Sequence, residues 1–310
     1  MNEFELIARL TKSLPTNETV VAGAGDDCAV LDLGVPGKLL LFKTDAVVEG
    51  VHFAPGAPPE KIGHKALGRC LSDIAAMAGT PAAALVTLGL PPRFDAKFVE
   101  AVYGGLSALA EKYNVAIAGG ETTMNPDRTF ISVTLLGTVA RGKQVLRSGA
   151  KAGDAIFVTG ELGGSLAGKH LEFEPRLAEA RWLAEHFSLH AMIDLSDGLA
   201  GDLQHLLRAS GVGAELLKTA VPVSRAAKLR VQTSPPAKPA FTAALTDGED
   251  FELLFALAGN EAVKLLDAWK GKFPGLKLSC IGKIVVGHGV TIHDKSGTTT
   301  LNDHGYVHFA

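Results

Sequence analysis

The alternation of apolar and polar positions predicts a mixed α/β (α+β) protein in which acidic residues repeatedly follow apolar runs. Residues 3–11 have helical spacing, with Phe4, Ile7, Ala8 and Leu10 on one face. Two β-rich runs follow at 28–33 and 39–44, the second ending in Thr44-Asp45. Pro58-Pro59 opens a helix through Met77, its apolar positions including Ile62, Ala66, Leu67, Leu71 and Ile74. A strand at 83–90, a helix at 96–113, a short buried strand at 115–118 and an alternating strand at 130–139 complete a β-β-α-β-α-β-β order. This order describes a mixed α+β domain and excludes a doubly wound dinucleotide fold. A basic, polar connector at 141–153 ends it, so the expected domains are 1–145 and 146–310. The second restarts with a strand at 155–159 and continues with helices near 165–171, 176–187 and 199–209. A surface loop at 234–239, a strand at 251–257 and a final helix-strand-strand segment follow.

A chain of 310 residues is too long for one ordinary core and comfortable for two α/β domains. Lys+Arg 30 against Asp+Glu 33 gives a formal net charge of -3, which gives no support for a nucleic-acid surface. The apolar stretch 74–90 is broken by Gly79, Thr80 and Pro81, so it predicts a packed helix, a turn and a buried strand, not a membrane span. Cys28, Cys70 and Cys280 form no Cys-x-x-Cys pair. With an acidic N-terminus where a secretion signal would be basic, they predict reduced thiols in a cytoplasmic protein.

Candidate chemistry lies in short acidic motifs: Gly25-Asp26-Asp27, Thr44-Asp45, Ser72-Asp73, Gly119-Gly120-Glu121, Asp194-Leu195-Ser196-Asp197-Gly198 and Asp247-Gly248-Glu249-Asp250. Oxygen ligands without matching His or Cys favour a hard cation, and Mg2+ shares its sphere with substrate phosphates. Asp73 lies in an apolar helix, where a carboxylate needs a cationic partner. Lys43 is placed either to neutralise a carboxylate or to contact phosphate, and the sequence leaves both open. Residues 163–170 nearly spell a P-loop, but His170 stands where a Mg2+-ligating hydroxyl is needed, so a glycine-eased turn into a helix is the reading.

Taken in order, these motifs resemble the thiamine-monophosphate kinase family, within the superfamily that includes aminoimidazole ribonucleotide synthetase. The resemblance runs from Phe4-Glu5-Leu6-Ile7 through Gly25-Asp26-Asp27-Cys28-Ala29, Thr44-Asp45 with Gly50-Val51-His52-Phe53, and Leu71-Ser72-Asp73-Ile74. It continues through Gly119-Gly120-Glu121-Thr122-Thr123, Arg147-Ser148-Gly149-Ala150, Asp194 to Gly198 and Gly248-Glu249-Asp250 to Gly305-Tyr306-Val307-His308-Phe309. It implies a two-domain architecture, with an N-terminal mixed sheet forming the core of a homodimer and a C-terminal α/β domain. It implies transfer of the ATP γ-phosphoryl to thiamine monophosphate with several Mg2+ ions, in a cleft between the domains.

By motif position the resemblance implies Mg2+ ligands at Asp27, Thr44, Asp45, Asp73, Glu121, Asp194 and Asp197. It implies ATP contacts at Tyr103, Gly120, Glu121, Arg147 and Ser196, and thiamine phosphate contacts at His52, Glu249 and Tyr306. No general base is expected, because the acceptor is a phosphate monoester with a second pKa near ~6. The alternatives are another ATP-dependent member of the superfamily, or a degenerate paralogue that binds nucleotide without catalysis.

Overall fold

The structure is a computed structural model that describes residues 3–233, 237–302 and 305–306, with the backbone alone at Phe4. The apolar role expected of the Phe4 side chain, residues 234–236 of the expected loop and the closing Val307-His308-Phe309 lie outside the described residues. The chain forms two compact units. One holds Glu18–Gln144 and His170–Ala178; the other holds Met1–Asn17, with helix α1 (Glu3–Thr11), together with Val145–Lys169 and Glu179–Ala310. Against the expected division at 145/146, the first 17 residues and the 170–178 segment change sides. Local periodicity cannot report such exchanges, because they depend on contacts made far along the chain.

The Glu18–Gln144 unit contains β1 (Val20–Ala22), β2 (Ala29–Leu31), β3 (Lys38–Val48), α2 (Pro59–Ala76), β4 (Thr80–Leu90), α3 (Ala96–Lys112), β5 (Ala116–Met124) and β6 (Phe130–Ala140). Its sheet runs β1-β2-β3-β6-β4-β5. β3 and β6 pair antiparallel from Lys38↔Ala140 to Val48↔Phe130, while β4 and β5 are parallel. One sheet face buries Leu39, Leu41, Val47, Val86, Val133 and Leu135, with α2 packed against β3, β6 and β4. The opposite face leaves Phe42, Leu85 and Leu136 exposed, and Phe42 and Leu136 are cross-strand partners.

Two expectations change here. Thr44-Asp45 does not end a strand, because β3 continues to Val48 with β6 beside it throughout. The short buried strand at 115–118 becomes exposed edge strand β5, with Gly119-Gly120-Glu121 inside it. A Cβ at Gly120 would lie 1.8 Å from the Val86 carbonyl oxygen, so glycine lets this edge strand lie close to β4.

The other unit contains β7 (Asp154–Thr159), α4 (Lys169–Glu172), α5 (Leu177–His186), β8 (Leu189–Asp194), α6 (Leu199–Ser210), β9 (Gly213–Leu217), α7 (Arg225–Thr233), α8 (Ala240–Thr246), β10 (Leu253–Ala258), α9 (Ala262–Lys272), β11 (Leu278–Val285), β12 (Val290–Asp294) and β13 (Gly297–Thr300); α4 and α5 each share residues with the 170–178 segment. The sheet order is β13-β12-β9-β11-β7-β10-β8, and one core joins Ile156, Val158, Ile193, Leu254 and Ile281 to Leu199, Leu203 and Leu206 of α6. Among the described residues, no helix is long and apolar enough to cross a membrane.

Helices α2 and α3 meet through glycine. A Cβ at Gly63 would lie 1.9 Å from the Val102 carbonyl oxygen, and one at Gly105 would lie 1.8 Å from that of Glu60. Gly104, next to Gly105, faces open space. Gly105→Ala is therefore expected to cost about 2 kcal/mol or more by overpacking. Gly104→Ala is expected to add up to about 1 kcal/mol through helix propensity. Urea midpoints moving in opposite directions would bear this out, and shifts of the same sign would contradict the close approach.

Candidate active site

In the Glu18–Gln144 unit, strand alternation separates neighbouring residues of β3. Lys43 and Asp45 point to the helix-covered face, and Thr44 to the other. Lys43 Nζ donates to Asp73 Oδ1 of α2 at 3.0 Å and lies 3.7 Å from Asp45 Oδ1. Arg69 Nε lies 3.7 Å from Asp45 Oδ2. Burial alone would depress the Lys43 ammonium, but Asp73 and then Asp45 outweigh it and raise its pKa well above the ordinary lysine value. Asp27, also buried, places a carboxylate oxygen within 4.8 Å of one on Asp73. Burial, and then nearby carboxylates, push up the thiols of buried Cys28 and Cys70. Both remain protonated thiols, unsuited to act as nucleophiles.

In the other unit, β8 ends at buried Asp194, and the chain turns through Ser196, Asp197 and Gly198 into α6. Backbone bonds tie distant segments to this turn: Glu249 N donates to Ser196 O (2.6 Å), Phe251 N to Leu195 O (2.8 Å) and Tyr306 N to Asp197 O (2.8 Å). Glu249 and Phe251 hold φ of 54° and 50°, left-handed conformations that cost non-glycine residues energy and recur at functional sites. Asp202, in the first turn of α6, accepts from Asp197 N at 3.1 Å. Burial, then Asp197, then Asp194 raise its pKa well above the ordinary carboxylate value. Three carboxylates, Asp194, Asp197 and Asp202, therefore share this turn and act on one another.

The P-loop-like segment serves a different end. The N–H of Gly163 donates to both carboxylate oxygens of Asp250 (3.0 Å each), and that of Gly164 to Asp247 (2.9 Å). Lys169 Nζ binds Glu252 at 2.8 Å and the Glu161 carbonyl at 3.1 Å. Groups that would cradle phosphate in a P-loop are instead bound to the protein's own carboxylates.

Comparison with known proteins fits this geometry. The family model described as AIR synthase related protein, N-terminal domain, matches residues 25–139, and that for the C-terminal domain matches 151–295. The thiamine-monophosphate kinase of Rhodopirellula baltica is 41% identical over 285 residues, covering 89% of this chain and 86% of that protein. The Escherichia coli K12 enzyme of the same name is 35% identical, covering 99% and 98%. A solved structure described as AaThiL complexed with AMPPCP and TMP superposes with a TM-score of 0.82 at 31% identity, covering 99% of this chain and 97% of that one. The chain belongs to the thiamine-monophosphate kinase family.

Against the site the family resemblance implies, the structure groups some residues and disperses others. Asp45, Asp73 and Asp27 gather around Lys43 in one unit; Ser196, Asp197, Glu249 and Tyr306 gather at one turn in the other. Arg147 lies close enough for its charge to pull down both Asp202 and His205, the latter to about 4 by burial first and then by Arg147 and Arg208. Thr44 lies on the other face of β3. Its hydroxyl faces away from Asp45, bonding Thr134 Oγ1 at 3.1 Å and lying 3.4 Å from Ser132 Oγ, because adjacent strand residues point to opposite faces. Glu121 sits on exposed β5 and accepts from Thr122 N (3.1 Å); among the described residues, no contact joins it to the Lys43 group. Half-buried Tyr103 lies on α3, its phenol raised by burial. His52 Nδ1 accepts from Val48 N (3.1 Å), leaving its proton on Nε2, and its carbonyl accepts from fully buried Lys65 (2.5 Å).

Lys65, Arg69 and Asp202 are charged neighbours of these residues that motif reading missed. Each is a charge at a position that helical spacing turns inward, and this was the available signal. The donor set fits Mg2+: hard oxygens only, with Asp27 close to Asp73 and with Asp194, Asp197 and Asp202 mutually repelling.

Asp250 yields a pH prediction. Burial, only partly offset by Lys169 and the Gly163 N–H, raises its pKa from 3.8 to about 7. The native state therefore holds more protons than the unfolded state across that window, so this group's contribution to stability falls as pH rises from 3.8 to about 7 and is flat above. Asp250→Asn should remove that slope. Unfolding free energies of wild type minus variant, measured by urea at several pH values, should decline between pH ~5 and ~7. A constant difference would overturn the assignment.

Proposed function

We propose that this chain phosphorylates thiamine monophosphate with ATP, yielding thiamine diphosphate and ADP by direct in-line transfer. The observation that carries the reading is near-complete likeness, at 31% identity, to a solved structure described as complexed with AMPPCP and TMP. The acceptor phosphate is largely dianionic at neutral pH and is itself the nucleophile, so no side chain has to remove a proton. The obstacle is bringing two anions together, and catalysis reduces to positioning and charge neutralisation. Mg2+, when bound, supplies positive charge to the phosphates and helps align the transfer.

The chain's own residues take these parts. Asp27, Asp45 and Asp73 in one unit, and Asp194, Asp197 and Asp202 in the other, hold Mg2+. Thr44 and Glu121 belong to the proposed ligand set as well, from the sheet face opposite Asp45 and from edge strand β5. Tyr103, Gly120, Arg147 and Ser196 contact ATP, and His52, Glu249 and Tyr306 contact thiamine phosphate. The strained backbone at Glu249 is held against the turn by its N–H, which donates to the Ser196 carbonyl at 2.6 Å. The free thiols of Cys28, Cys70 and Cys280 suit a reducing cytoplasm.

Asp73→Asn and Asp45→Asn are expected to lower kcat by on the order of 10²-fold or more while the fold persists, as loss of preorganised charge does. An ADP-release assay with thiamine monophosphate against other small phosphates tests both substrate and roles. Near wild-type turnover in either variant at saturating Mg2+ would sink the ligand assignment. Nucleotide binding without ADP release in the wild type would favour the degenerate paralogue.

A homodimer is also proposed, formed through the exposed sheet face of the Glu18–Gln144 unit. Phe42, Leu136 and Leu85 lie there side by side, and an uncovered apolar patch invites association. Sedimentation should give a dimer for wild type and a folded monomer for Phe42→Glu combined with Leu85→Glu. A monomeric wild type at micromolar concentration would refute the assembly.

A further inference from the structure

The Lys43 ammonium occupies a place among carboxylates that the proposed reaction needs for metal. It donates to Asp73 Oδ1 at 3.0 Å and lies 3.7 Å from Asp45 Oδ1, while Arg69 Nε faces the other Asp45 oxygen at 3.7 Å. Both Asp45 oxygens therefore already face protein cations. The Lys43 side chain is held in place: β3 is paired with β6 across its full length, and strand alternation aims Lys43 beneath α2. A protonated lysine is a compact point charge with three donors and no lone pair, so it satisfies carboxylates but cannot ligate a metal. Mg2+ binds oxygen at about 2.0–2.1 Å, and a divalent ion on the same Asp73 oxygen would stand against a fixed positive charge.

We propose that Lys43 is a resident cation which, with Arg69, neutralises Asp45 and one oxygen of Asp73, so that this unit binds one divalent ion fewer than its carboxylates would otherwise hold. The Asp27–Asp73 pair, whose oxygens approach within 4.8 Å, is then this unit's first place for metal, and Asp45 serves metal only through the lone pairs that Lys43 and Arg69, each 3.7 Å away, leave open. This inference rests on the kinase reading above for its purpose, but the charge arrangement stands by itself. It makes Lys43 a positioning residue: it sets where metal sits without touching the reacting atoms.

The test counts ions on the whole purified chain with neither substrate present. Equilibrium dialysis with Mn2+ should show one more bound ion per chain for Lys43→Met than for wild type. Lys43→Arg keeps the charge and should match the wild-type count. In chelator the melting temperature of Lys43→Met should fall, because Asp45 and Asp73 repel, and added Mg2+ should restore it to within a few degrees of wild type. Adding Asp73→Asn to Lys43→Met should abolish both the extra ion and the rescue. Equal counts in wild type and Lys43→Met, or a loss of melting temperature that Mg2+ does not restore, would overturn the proposal. A Lys43→Met chain that fails to fold even with Mg2+ would overturn it equally, since rescue by the divalent ion is the claim. Failure of the ADP-release assay would instead sink the activity and leave the ion count untouched.

Discussion

Carboxylates buried near one another persist only where positive charge or amide hydrogens reach them, and both units are organised around that constraint. The solutions differ by place. Asp247 is held by Arg230 at 2.8 Å and Lys238 at 3.0 Å, and Glu252 by Lys169 at 2.8 Å. Asp250 receives both of its bonds from one backbone N–H. These are structural settlements, in which the acid and its partner close on each other. The Asp194–Gly198 turn is different, because the charge of Asp197 and Asp194 adds to burial in raising Asp202. Acids that share one turn and raise one another's proton affinity mark a candidate position for a cationic ligand.

Backbone contact makes that turn rigid enough to serve. A Cβ at Gly305 would meet the Asp197 carbonyl at 2.4 Å, and one at Gly248 would meet that of Ser196 at 2.8 Å, so three chain segments touch main chain to main chain. Gly248 also holds φ 72° just before Glu249 at 54°. The two consecutive left-handed residues fold the 247–252 segment back on itself. One side of this segment faces the turn through Glu249 and Phe251, and the other binds Gly163 and Gly164 through Asp250 and Asp247. A segment anchored on both sides has little freedom to relax its strain, so Glu249 keeps its position at the site.

Much of this was legible in the residues, and the failures have physical reasons. Helix α3 and strand β6 carry clean periodicity because each has one buried face, and α2 is legible by its apolar richness, since it is buried nearly all round. Strand β3 looks finished at Thr44 because an acid usually ends an apolar run, yet it continues because Lys43 and Arg69 neutralise Asp45 within the sheet. Strand β5 is invisible beyond Ala118 because an exposed edge has no alternation to display, and its pairing with β4 uses the main chain alone. The acidic motifs were legible as a set. Their partition was not: Lys43 stands beside the Thr44-Asp45 motif but donates to Asp73 far along the chain, and Arg69, Arg230 and Lys238 reach their carboxylates across separations that spacing does not reveal.

The same strand geometry links charge placement to the choice of chemistry. A phosphate acceptor brings its own nucleophilic oxygen, so a protein acting on it needs fixed charges, not a tuned base. Fixed charge is best carried on rigid elements, and β3 supplies it: with β6 paired to it at every residue, Lys43 and Asp45 are both directed toward α2. Their neighbour Thr44 is turned by the same alternation to the opposite face, among Thr134 and Ser132 and beside the exposed Phe42 row. One strand thus presents site chemistry to the helices and an association surface to the other side. A one-residue slip in its register with β6 would exchange the two faces, so the site and the assembly surface are specified by the same hydrogen bonds.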